Sequence, residues 1–330
     1  MADAPFDVVG VGNAIVDVIA QSDDNHLARL DLNKGTMTLI DDAQAEWLYS
    51  EMGSAIETSG GSAANTLAGI ASLGGTGAYI GKVRDDQLGG VFSHDIKAAG
   101  VDYRLRAATE GPSTARCLIF VTPDADRTMQ TYLGVSVMLG PDDIDPEAIG
   151  DAQITYLEGY LFDRDEAKEA FVKAAELAHA AGRKVALSLS DPFCVDRHRA
   201  SFKHLVEGHV DILFANSDEI TSLYETDSFD DAVGQLVGKI DLAAVTRGAE
   251  GSVIVTADEV VEIPAEPVQN VVDTTGAGDL YAAGVLYGLT QGYELEVAGR
   301  LGSICAAEVI SHYGARPETS LSALAKEKMG

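Results

Sequence analysis

The sequence predicts an α/β fold, a mainly parallel sheet with helices on both faces, on three observations. Beyond Pro141, short apolar runs alternate with amphipathic stretches: Ile154 to Leu157, Asp165 to Ala181, Lys184 to Leu189, Asp211 to Phe214, Ser217 to Tyr224 and Ala243 to Thr246. Strands covered on both faces read as such continuous runs, and crossover helices fill the spacings between them. The 34 glycines fall at turn positions without a fixed period, which suits many strand-to-helix connections rather than a repeat protein. Finally, 46% hydrophobic and 23% charged residues are ordinary globular usage, so 330 residues supply a sizeable core in one large or two modest domains.

Taken in order, Phe6 to Val11 is an apolar run closed by Gly10 and Gly12, as expected of a buried strand. Residues 14–20 continue as extended chain, and period-two alternation puts Asp17 on one face with Ile15 and Ile19. A lone carboxylate on an apolar face is costly unless donors reach it. Ligand hydroxyls would serve; solvation at a sheet edge is the alternative. The Gly10-Val11-Gly12 pair lacks the third glycine of a dinucleotide-binding turn, because Ile15 stands in its place, and Gly81-Lys82 is followed by Val83, not by the Ser or Thr of a Walker loop.

Residues 58–74 read as a glycine turn feeding a helix whose small residues, Ala63, Ala64, Ala68 and Ala71, permit close packing. Gly60 and Gly61 would let backbone approach a ligand, and Asn65, one turn in, could bond a sugar hydroxyl or a neighbouring loop. A strand at Ala78 to Gly81 and a helix over Gln87 to Ala99, stopped by Gly100, follow. Strands at Ala115 to Thr122 and Thr128 to Leu133 flank Pro123-Asp124-Ala125-Asp126, a hairpin signal. Arg127 opens the second as either a phosphate clamp or a surface ion pair.

In open α/β sheets, ligands gather at the carboxyl ends of strands. Asn216 and Glu219 follow one predicted strand, Thr246, Arg247 and Gly248 another, and Asp273 to Asp279 an extended stretch at Val268 to Val272. Asn216 and Glu219, three apart, are hard oxygen ligands suited to magnesium, although the spacing alone favours a helix cap with a dipole-favoured acid. In Asp273-Thr274-Thr275-Gly276-Ala277-Gly278-Asp279, Gly276 and Gly278 allow a sharp turn that aims N–H groups at one spot ahead of a helix beginning at Leu280. That is an anion site. A carboxylate repels phosphate, so Asp279 needs its own explanation, and general-base attack on a hydroxyl proton is one.

Net charge is −29, from 52 acidic and 23 basic residues, which argues against nucleic-acid and anionic-membrane partners. A phosphate ligand would need local neutralisation by amides, a few arginines and a metal ion. Cys117, Cys194 and Cys305 have no metal-ligand spacing and read as packed free thiols. Residues 1–20 carry no basic n-region and no apolar run reaches membrane-spanning length. A cytoplasmic protein is expected.

Gly60-Gly61-Ser62-x-x-Asn65, Asn216-x-x-Glu219, Thr246-x-Gly248-x-x-Gly251 and Asp273-Thr-x-Gly-Ala-Gly-Asp279, in that order, resemble the motifs of the ribokinase-like (PfkB) sugar and nucleoside kinases. The likeness runs over almost the whole chain. Within the family the chain looks most like the adenosine kinases, through Gly12-Asn13-Ala-Ile-Val-Asp17, Leu187 to Phe193 (one residue longer here) and Val210 to Asn216. The resemblance implies one three-layer α/β/α domain with a small β lid drawn from residues 13–20, 36–41 and 115–133. It implies ATP and Mg²⁺ as cofactors, and a nucleoside or sugar acceptor. Carried over residue by residue, Asp17 binds ribose hydroxyls with Asn13, Gly60, Gly61 and Asn65 around the sugar. Met37, Leu39 and Tyr160 lie near the base. Asp279 is the base catalyst, Gly276, Ala277 and Gly278 form the anion hole, and Arg127 is the lid arginine. Asn216 and Glu219 belong to the magnesium and phosphate network, Glu219 through water. Thr246, Arg247, Gly248 and Gly251, with Gly276 and Gly278, line the ATP site. Asp273 and Thr275 would hold a monovalent cation such as K⁺, although Thr275 stands where many adenosine kinases carry asparagine. The resemblance favours a monomer over a lid-mediated dimer.

Overall fold

The computed structural model describes residues 4–124 and 126–330. Nine strands form one sheet in the order Val260–Ile263, Ser252–Val255, Leu242–Thr246, Ile212–Asn216, Lys184–Ser188, Ala152–Glu158, Phe6–Val11, Gly77–Ile80 and Val101–Tyr103. All neighbours are parallel except the two pairs made by Ser252–Val255, which are antiparallel. Alternation along these strands builds two cores. Val8, Ile154, Tyr156, Ala186, Phe214 and Ala244 face one side, where helices Ser62–Leu73, Ala277–Thr290 and Leu295–Val309 pack. Val9, Leu157, Leu187, Leu213 and Val245 face the other, covered by helices including Asp165–Ala180 and Pro192–Gly208. Burial on both faces is why the strands read as unbroken apolar runs.

A second sheet has the order Met37–Leu39, Arg127–Tyr132, Ala115–Val121, Ile15–Gln21, Ala55–Gly60. Along Ile15–Gln21 the even residues Val16, Val18 and Ala20 are buried, and Ile15, Asp17 and Ile19 share the more open face, as the period-two reading requires. The buried face joins Leu118 and Phe120 in one core with Leu27 and Leu30, from helix Asp24–Arg29 and its cap, and Leu48 of helix Asp42–Glu51. Ala125, in the turn of the predicted hairpin, lies outside the described residues.

One expected strand is absent. Val268 to Val272 forms no ladder; Val272 and Asp273 donate only to Ile310 O, and Val271 and Val272 are exposed. The segment crosses from the edge strand Val260–Ile263 to helix Ala277–Thr290 with no neighbouring strand to pair it, so its β-branched composition has no ladder to join. No helix among the described residues is long and apolar enough to cross a membrane. Cys117, Cys194 and Cys305 are buried.

Candidate active site

The site forms where the carboxyl ends of the large-sheet strands meet the open face of the small sheet. Helix Ala277–Thr290 starts at Gly276, whose φ of +80° is left-handed and suits glycine. The Ala277 N–H turns back to Thr274 O at 3.2 Å, so it serves the turn itself. The N–H groups of Gly276, Gly278 and Asp279 find no acceptor among the described residues. Three bare amides at a helix N-terminus make a preformed anion site.

Asp279 stands beside them. Ser62 Oγ donates to its Oδ1 at 2.6 Å and Asn65 Nδ2 to its Oδ2 at 2.9 Å, which fixes the carboxylate at the start of helix Ser62–Leu73. Desolvation raises its pKa above the ordinary value, opposed by those two hydrogen bonds and by the charge of Arg316. Asp17 faces the same space. It accepts no hydrogen bond among the described residues, and burial pushes it up to about 6, against the pull of Arg316 and Arg127. Gly60 lies against it: a Cβ there would fall 2.5 Å from Asp17 Oδ2. Gly61, at φ +99°, passes so close to Asn13 O that a Cβ would meet it at 2.1 Å.

Asn13 is buried and bonded on both ends. Its N (3.2 Å) and Nδ2 (2.9 Å) donate to Glu158 Oε1, and its Oδ1 accepts from Ser136 Oγ (3.0 Å), so it braces the site from beneath and lines neither cavity described below. Asn65 Oδ1, by contrast, is buried with no partner among the described residues. Glu158, at the end of its strand, also accepts from Ala63 N at 2.8 Å and is pushed up to about 7 by burial.

Four expected roles meet a different geometry. Arg127 points at Asp273, Nη1 to Oδ2 3.0 Å, with both side chains under 10% exposed and the guanidinium over the Tyr313 ring; it does not line the phosphate-sized cavity. Asp273 accepts in addition from Thr275 N and Oγ1 and from Gly314 N. With a guanidinium already balancing this carboxylate, Asp273 and Thr275 do not fit a monovalent cation. Asn216 and Glu219 form a reciprocal helix cap: Asn216 N and Nδ2 donate to Glu219 at 2.9 and 2.6 Å, and Glu219 N to Asn216 Oδ1 at 2.9 Å. Both Glu219 oxygens thus already accept from Asn216, which fits a magnesium ion held through water rather than directly. Met37 and Leu39 stand about half exposed on the edge strand of the small sheet and line neither cavity described below, whereas Tyr160 lines the larger one.

That larger cavity, about 730 Å³, runs from Ser62 and Asp279 past Tyr160 to Asn216, Thr246, Arg247 and Gly248. Arg247 is its only cation among the described residues; its Nε has no partner among them and its guanidinium lies 5.3 Å from the Phe229 ring centroid. Gly251, at φ +87°, carries the chain away at the rim of a second cavity. This one, about 550 Å³ and mostly apolar, joins the first at Thr246, Gly248, Ala277 and Gly278, and is walled by Ala265, Pro267, Val268, Val271, Ala306 and Ile310. Sequence reasoning missed this wall, together with Glu158 and Arg316, and gave Ser62 no role although its motif contained it. Of the three missed features only the wall had a local signal, in the small residues of the helix Leu295–Val309.

A parallel sheet ending in bare amides, a carboxylate beside them and two joined cavities define a small-molecule kinase, an enzyme that moves a phosphoryl group onto a hydroxyl. The chain belongs to the pfkB family of carbohydrate kinases, whose model matches residues 38–321. It is 51% identical to the adenosine kinase from Sinorhizobium meliloti, over 98% of this chain and 100% of that one, with a TM-score of 0.91. It is 50% identical to a probable sugar kinase protein from Rhizobium etli, over 99% of each chain, also at 0.91. An uncharacterized sugar kinase from Archaeoglobus fulgidus is 31% identical over 255 residues, 75% of this chain and 96% of the relative.

Proposed function

We infer that the protein transfers the γ-phosphoryl group of ATP to the 5′-hydroxyl of a nucleoside, adenosine foremost. The observation that carries this is the unmet polar chemistry beside an apolar platform. The Asp17 carboxylate and Asn65 Oδ1 lack partners among the described residues, as a vicinal diol would require. From Asp17 the same row of the sheet runs through Cys117 and Thr131 to Leu39, with Ile19, Ile119, Met129 and Met37 in the next row. Three strand steps make this strip roughly 14 Å wide. A flat base can lie on such a surface, and a free sugar has no need of it. The Sinorhizobium relative's name supports the same acceptor.

Adenine of the donor fits the apolar cavity, and its phosphates the larger one, between Arg247 and the bare amides. Glu219 and Asn216 would hold a magnesium ion through water, and such an ion would supply neutralisation of phosphate charge. Asp279 takes the proton of the acceptor hydroxyl as its oxygen bonds to the γ-phosphorus. The bond from that phosphorus to the bridging oxygen breaks, and ADP leaves with the electron pair. Amides of Gly276 and Gly278 stabilise the transferring group. Helices Asp24–Arg29 and Asp42–Glu51 cover the far face of the small sheet, which supports a lid that works within a monomer.

The test is a panel of adenosine, inosine, guanosine and ribose with labelled ATP. Adenosine should give the highest kcat/KM and a 5′-monophosphate product. Ribose outperforming adenosine would replace the nucleoside reading with a sugar-kinase one, the reading that the Rhizobium relative's name favours.

A further inference from the structure

The segment between helices Leu295–Val309 and Leu321–Met329 carries Arg316 against the back of the turn that borders the site, beside groups more than 250 residues away in sequence and outside both cavities. Its Nε and Nη2 donate to Ser59 O at 3.2 and 2.9 Å, Nη2 also to Ser59 Oγ at 2.9 Å, and Nη1 to Ala64 O at 2.8 Å. Ser59 is held in turn by Asp95, which accepts from its N at 2.7 Å and its Oγ at 2.6 Å. One planar fork therefore grips both ends of the Ser59 to Ala64 turn. Inside that grip lie Gly60, against Asp17, and Ser62, bonded to Asp279; Asn65, also bonded to Asp279, follows immediately.

The charges around Asp279 are one-sided. Asp17 faces it from the small sheet, Tyr156 and Glu158 from strand Ala152–Glu158, Tyr160 from just beyond, and Glu219 from helix Ser217–Tyr224. All of these are acids. Arg316 is the one cation acting on Asp279 among the described residues, and it acts on Asp17 as well. Arg127, the other guanidinium nearby, is bonded to Asp273.

We propose that Arg316 is a positioning residue of the phosphotransfer site: its guanidinium sets the Gly60-Gly61 turn around the acceptor and supplies fixed positive charge to Asp279. This rests on the kinase reading above and adds a residue that no motif of the sequence marks. The two parts of the role separate chemically. Lysine keeps the charge but cannot reach Ser59 O, Ser59 Oγ and Ala64 O together, whereas glutamine keeps some hydrogen bonding and loses the charge.

Selective ¹³C labelling of aspartate carboxyl groups, with Asp279 assigned through Asp279→Asn, would follow its titration in wild type, Arg316→Gln and Arg316→Lys. In Arg316→Gln the midpoint should rise by about one pH unit or more, and the acid limb of kcat/KM for adenosine should move with it. In Arg316→Lys the midpoint should stay within a few tenths of wild type while KM for the acceptor rises several-fold. A folded Arg316→Gln protein with an unmoved midpoint overturns the proposal. Should that variant fail to fold, a full-unit rise in Arg316→Lys, whose charge is intact, overturns it equally. Because the titration needs no turnover, absence of phosphotransfer to any acceptor would sink the kinase reading alone.

Discussion

At the scale of single residues, the proposed chemistry rests on Asp279, held by two donors next to amides that have no acceptor among the described residues. Asp279→Asn should be tolerated structurally, since the Asn oxygen can still accept from Asn65 Nδ2 while the Ser62 hydroxyl reverses to accept from the new amide. Without a base, kcat should fall by at least ~10²-fold, with acceptor KM little changed. Steady-state kinetics with adenosine checks this, and near-normal turnover would remove Asp279 from the role. In wild type, kcat/KM should fall as pH drops through the Asp279 titration, which desolvation places above the ordinary carboxylate value. Asp279 was legible in the sequence because its turn, its glycines and its helix are contiguous. Glu158 and Arg316 were not, because each meets its partners across 95 to 257 positions. No local pattern distinguishes a strand-end glutamate that braces Asn13 from one at the surface.

At the scale of elements, the parallel strands and the helices after them followed from apolar runs and glycine stops, because burial on both faces leaves an unambiguous pattern. The antiparallel edge, Ser252–Val255 and Val260–Ile263, and the strand Ala55–Gly60 are short and were not foreseen. Val268 to Val272 has strand composition but no partner, and pairing is a property of the fold, not of the segment. The placement of Asp279 depends on how helix Ala277–Thr290 seats on Leu295–Val309. Their contact is glycine against glycine: a Cβ on Gly284 would lie 2.6 Å from Gly302 Cα and N. Those are backbone atoms and cannot swing aside. Gly284→Ala should push the helices apart and cost about 1–3 kcal/mol, seen as a lower midpoint in urea with little change in slope. A midpoint equal to wild type would mean the helices adjust freely and that this contact does not fix the base.

At the scale of the whole molecule, a chain with net charge −29 buries carboxylates in its own site, and this sets how stability varies with pH. Asp17 is raised to about 6 and Glu158 to about 7, both chiefly by desolvation. Each folded pKa lies above its unfolded value, so the folded state binds more protons in the interval between them. The resulting stability is fully present below the unfolded values and is lost as pH rises through about 6 and 7. Asp95 works oppositely, lowered by its bonds from Ser59 and Thr58, but its contribution is lost only in acid, outside that window. Tm should therefore fall by several degrees from pH 5 to pH 8, at about 2–4 °C per kcal/mol for large domains. General repulsion among surface acids acts in the same direction, and salt separates the two. Raising ionic strength screens exposed charges and should recover part of the loss, while the desolvation of Asp17 and Glu158 persists. At high salt, Asp17→Asn and Glu158→Gln should each flatten the remaining slope, whatever their effect on Tm itself. A wild-type Tm that is level or rising over this range at high salt would show that these carboxylates are not strained in the folded protein, and that an acceptor's hydroxyls are not needed to relieve Asp17.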